Sequence, residues 1–97
     1  MNHVKLKTGV TIPEPTAVAV FGNLKKLFSE DFLAFFELVE LCRNDKHEFW
    51  DDNVKNTLAS LAFIKSNGQI HSDTKAVVLA ATEGDGMNLT LVSPVAA

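Results

Sequence analysis

Cysteine occurs once in this chain, as Cys42, so no internal disulfide framework can form, and no second thiol stands near a histidine at zinc-finger spacing. That usage favours a reducing, cytoplasmic setting. Glycine (five) and proline (three) are scarce, and neither low-complexity tracts nor repeats occur, which excludes collagen-like and wholly disordered chains. No run approaches the roughly eighteen apolar residues of a membrane span. The opening Met-Asn-His-Val-Lys-Leu-Lys alternates charge with apolar residues, so it lacks the apolar stretch of a secretory signal.

What is present is the composition of a globule, 46% hydrophobic and 22% charged over 97 residues. A folded chain of this mass keeps roughly 5,500 Å² of the approximately 15,000 Å² that it exposes unfolded. Burial on that scale supports one core, and residues 1–97 are expected to form one domain.

The net charge of −3 hides a gradient. Residues 1–28 sum to +3, residues 29–52 to −6, and the remainder cancels. The middle third is an acidic pole that repels phosphate backbones and favours basic partners, although a solvated charged face is the commoner use of such residues.

Periodicity supplies the elements. Val4, Leu6, Val10 and Ile12 fall at even positions, the pattern of a strand over 3–12, which Thr8-Gly9 either bulges or folds into a hairpin. Pro15 suits the first turn of a helix over 15–28, with Ala17, Phe21, Leu24 and Phe28 on one face. Ser29, followed by Glu30 and Asp31, reads as the cap of a second helix over 30–43. Its apolar arc takes Phe32, Phe35, Phe36, Leu38, Val39 and Cys42, and leaves Leu33 and Leu41 on the acidic side with Glu37 and Glu40.

A polar loop to Asp52 carries Phe49 and Trp50, and Asp51 or Asp52 caps a helix over 52–63 that buries Val54, Leu58 and Leu61. Asn67-Gly68 fits a left-handed helix stop or the centre of a hairpin within 63–71. Ser72 or Asp73 caps a last helix over 73–83, apolar all round and therefore expected to be buried. Met87, Leu89 and Leu91 alternate into a C-terminal strand. The expected fold is α+β, with four helices around one core and paired N- and C-terminal strands, Val77, Ala80 and Ala81 packing on the sheet.

The order of helix, Asn-Gly turn, helix and strand over 52–92 distantly resembles the second half of a winged helix-turn-helix domain. That resemblance implies nucleic-acid binding through the helix over 73–83, yet this helix has Lys75 as its only cation, beside Asp73 and Glu83.

No candidate set assembles into chemistry. His47 and Asp51 stand at metal-ligand spacing, but the second histidine of a zincin is missing, and so is the glycine of a calcium loop. Gly84-Asp85-Gly86 follows a helix, whereas a phosphate cradle precedes one. Cys42 shares an arc with Phe35 and Val39 and reads as a buried structural thiol. His71, Ser72 and Asp73 have the letters of a triad, but sequence neighbours do not converge on one atom.

The expectation is a non-catalytic protein-binding or regulatory domain, self-associating or bound to another protein, without metal, cofactor, nucleic acid or membrane. Its candidate contact residues are Leu33, Glu37, Glu40, Leu41 and Trp50, unless another part of the fold covers the two leucines. The alternative is a winged-helix-like nucleic-acid module.

Overall fold

The computed structural model describes residues 2–44, 51–65 and 69–83 of the chain. It is an α+β domain, and Gly9 decides how it begins. At φ +96°, a conformation open to glycine, this residue folds the first segment into a hairpin of β1 (His3–Lys5) and β2 (Thr11–Pro13). Gly9 N–H donates to the Leu6 carbonyl and Leu6 N–H to the Val10 carbonyl, both at 2.8 Å, the pattern of a tight turn followed by a glycine bulge.

The strands are antiparallel, with Val4 opposite Ile12 and His3 opposite Pro13. Because hydrogen-bonded pairs alternate with open ones from Leu6 and Val10 onward, Pro13 stands at an open position, where its missing N–H removes nothing from the ladder. Leu6 and Ile12 are buried and Val4 partly so, whereas Val10, expected on the same inward face, is exposed beside the turn. The C-terminal strand and its pairing with the N-terminal one lie outside the described residues.

Helix α1 (Glu14–Glu30) starts directly after β2, with Pro15 in its first turn. Ala17, Leu24 and Leu27 are buried, flanked by partly buried Val20, Phe21 and Phe28. The helix runs past Ser29, so the expected cap there is corrected. Asp31 makes the break: its N–H closes α1 on the Leu27 carbonyl at 2.8 Å, and its carboxylate accepts from Ala34 N–H at 3.1 Å. One residue thus ends α1 and starts α2 (Phe32–Asn44). The extra half turn of α1 brings Phe28 to 4.9 Å from the Phe35 ring and 5.6 Å from that of Phe32, both edge to face.

Asp51 caps α3 (Asp52–Ser60), accepting from Asn53 N–H at 2.7 Å. This helix ends three residues before its expected limit of Phe63, through Ala62 in the left-handed region at φ 62°. Beyond it, Ile64 and Ile70 form an antiparallel bridge and Lys65 N–H donates to the Gln69 carbonyl at 2.7 Å, in keeping with the hairpin reading of 63–71. Helix α4 (Ser72–Ala81) follows with His71 as its cap residue, one place before the expected Ser72, and with no side-chain capping bond.

The core has two parts, and α4 serves both. Val78 and Ala81 join Leu24, Phe35, Leu38, Leu58 and Phe63 in the larger part, among the four helices. Val77 and Ala80 meet Leu6, Ile12 and Ala17 in the smaller part, beneath the hairpin. Small side chains on α1 and α4 let the two helices approach closely. Val20 and Phe21 touch both parts and join them. The near-uniform apolarity of α4 follows from this central position.

Candidate functional site: the outward face of α2

Nine of the thirteen residues of α2 are apolar, more than one buried arc can take. Burial falls on Ala34, Phe35, Leu38, Val39, Leu41 and Cys42. At about 100° per residue this arc is turned roughly 60° from the expected one, toward Ala34 and Leu41. The turn follows from the neighbours, because α1, α3 and α4 all pack against this helix and together cover a wider sector centred on Leu38 and Cys42.

Two corrections result. Leu41 is 3% exposed and belongs to the core, so it cannot pair with Leu33 on a surface. Phe32 and Phe36, expected inside, are 51% and 48% exposed. Leu33, at 61%, is the most exposed residue of the face.

Phe32, Leu33 and Phe36 therefore make one outward apolar patch over the first turns of α2, since residues three and four apart are neighbours on a helix. Glu37 and Glu40 follow at the next turn, four residues beyond Leu33 and Phe36 respectively, each partly exposed. Asn44 Nδ2 donates to the Glu40 carboxylate at 2.9 Å and holds it along the helix. Arg43, the one cation of α2, donates instead to the Thr82 carbonyl at the end of α4, at 2.8 Å.

The structure therefore brings Leu33, Glu37 and Glu40 together, removes Leu41, and adds Phe32 and Phe36. Trp50, the fifth expected contact residue, lies outside the described residues. The signal for the two phenylalanines was the surplus of apolar residues in α2, which guarantees an exposed remainder without saying which residues compose it.

The other sequence candidates offer less. His47, Glu48 and Gly84-Asp85-Gly86 are outside the described residues, and Asp51 is engaged as the α3 cap. Cys42 is a buried thiol without a disulfide. His71, Ser72 and Asp73 open α4 consecutively, so their side chains diverge around the helix. Among the described residues no three His, Cys, Asp or Glu side chains gather as metal ligands, and no helix is long and apolar enough to cross a membrane. A shallow open depression of about 490 Å³ at the start of α1, lined by Asn2, Glu14, Pro15, Val18 and Ala19, has one carboxylate and no partner group for acid-base work. Helix α4, which the winged-helix alternative would use for recognition, buries Thr74, Val77, Val78, Ala80 and Ala81 and has Lys75 as its one cation.

Comparison of the chain with protein-family models, curated proteins and solved structures finds no match.

Proposed function

We propose that the chain is a non-catalytic protein-binding domain that docks a partner on the outward face of α2. The observation that carries this reading is the contiguity of Phe32, Leu33 and Phe36, three large apolar side chains each about half exposed or more on successive turns of one helix. Apolar surface costs free energy in water, at about 25 cal/mol per Å², and a cluster with a polar rim is the usual anatomy of an interface. Aromatic residues are the side chains on which binding energy concentrates. Two bulky aromatics and a leucine left outside a core that had alternatives fit this role better than an incidental surface.

A photo-crosslinking residue introduced at Leu33, and separately at the exposed Lys26 of α1, tests the reading in the chain's own cells. A discrete protein adduct is expected from position 33 and not from 26, and Phe36→Glu should remove it. Equal adducts from both positions, or none from 33, would count against a docking face on α2.

A further inference from the structure

We infer that the partner presents a basic amphipathic helix, an inference that rests on the docking role proposed for α2. Over residues 30–44, four carboxylates stand against one cation, Arg43. Glu30 is exposed at the end of α1, Asp31 caps α2, and Glu37 and Glu40 follow the apolar residues along the helix. No Lys or Arg occurs between Phe32 and Glu40, and Arg43 beyond them donates to the Thr82 carbonyl. A partner that buries Phe32, Leu33 and Phe36 must therefore approach past carboxylates, and it gains if its own flanks carry Lys or Arg.

The shape of the patch selects a helix. From Phe32 to Glu40 the face runs about 12 Å along α2, a ridge two turns long beside the half-buried Phe28. An apolar stripe at positions i, i+3 and i+4 of a second helix packs along such a ridge, with its basic residues falling opposite Glu37 and Glu40. A second copy of this chain fits less well, because a twofold contact through α2 sets Glu37 and Glu40 near their own counterparts when the helices run parallel and toward the Asp31 end of the other copy when they run antiparallel. An anionic lipid surface or a nucleic acid meets the same repulsion.

The test uses two synthetic helical peptides of about 18 residues, one leucine–lysine and one leucine–glutamate, with the same apolar stripe. Fluorescence anisotropy measures their binding to the full chain, to a Leu33→Ser/Phe36→Ser variant that keeps every charge, and to a Glu37→Gln/Glu40→Gln variant that keeps the apolar patch. Circular dichroism confirms that each variant is folded, as expected for exposed positions.

The leucine–lysine peptide is expected to bind the native chain, to lose about tenfold or more in affinity against either variant, and to weaken as salt rises from about 50 to about 200 mM. If its binding is indifferent to Leu33→Ser/Phe36→Ser, it is adsorbing to charge and the inference fails. Equal or tighter binding of the leucine–glutamate peptide, dependent on Leu33 and Phe36, also overturns the inference but leaves a docking face on α2. Self-association through the same two residues, seen by sedimentation, has the same consequence. A monomer that binds neither peptide overturns the inference, and the docking role is then decided by the adduct at position 33.

Discussion

The guanidinium of Arg43 donates to the main-chain carbonyl of Thr82 at 2.8 Å, linking residues 39 apart and tying the last turn of α2 to the end of α4. Thr82 is buried, and both its hydroxyl and its N–H donate to the Val78 carbonyl, at 2.7 and 3.1 Å. The end of α4 is thus satisfied twice, once by its own threonine and once by a neighbouring helix. Arg43→Met retains the apolar stem and removes the charged donor, so it should cost about 1 kcal/mol, below the usual range for a charge-assisted bond because Arg43 is exposed. Urea unfolding checks this: the midpoint should fall with an unchanged slope.

Gly22 lies within α1 on its exposed side, and a Cβ built there meets nothing within 4 Å. Glycine in a helix interior leaves more backbone freedom in the unfolded chain than alanine does. Gly22→Ala should therefore raise stability by about 1 kcal/mol, seen as a higher melting temperature with an unaltered circular dichroism spectrum. A loss of stability would show that α1 is covered at Gly22 in solution.

How far the sequence was legible depended on whether one pattern had one solution. The helices over 15–28, 30–43, 52–63 and 73–83 appear at Glu14–Glu30, Phe32–Asn44, Asp52–Ser60 and Ser72–Ala81, because the apolar period is unambiguous there, while of the expected caps only Asp51 holds its place. The break between α1 and α2 shifted because Ser29 and Asp31 are both competent caps, and tertiary contact among Phe28, Phe32 and Phe35 favours the later one. In α2 the surplus of apolar residues left the rotation of the helix undetermined. Only its contacts with three other helices assigned Leu41 to the core and Phe36 to the surface. The acidic rim was readable from sequence, since Glu37 and Glu40 stay outside under either rotation.

That rotation makes a direct prediction about two leucines eight residues apart. Leu41→Ala removes core volume among packed helices and should cost about 3 kcal/mol, within the range for buried leucines. Leu33→Ala should change stability by less than about 0.5 kcal/mol, because the side chain is 61% exposed. Paired denaturation curves separate the two, and equal costs would return the helix to the rotation first expected for it.

The stop of α3 makes the last prediction, because it uses the wrong residue for its geometry. Phe63 N–H donates to the Leu58 carbonyl at 2.9 Å and Ala62 N–H to the Ala59 carbonyl at 3.0 Å, the paired bonds of a Schellman termination. Leu58 and Phe63 are both buried in the same cluster, which supplies the apolar contact that accompanies this motif. The turning residue, Ala62, sits at φ 62°, where a Cβ crowds the following carbonyl at a cost of about 1 kcal/mol or more. Glycine is the ordinary occupant of that position, so its absence concealed the stop from sequence reading. Ala62→Gly relieves the crowding and leaves both hydrogen bonds in place. Part of the gain is returned through the greater freedom of glycine in the unfolded chain, and the net effect should be a stabilisation of about 0.5–1 kcal/mol. Ala62→Val should move in the opposite direction, because a branched Cβ tolerates the left-handed region least. Thermal denaturation of the three forms should rank glycine above alanine above valine. The reverse order would mean that α3 continues past Ser60 in solution and that Ala62 is helical.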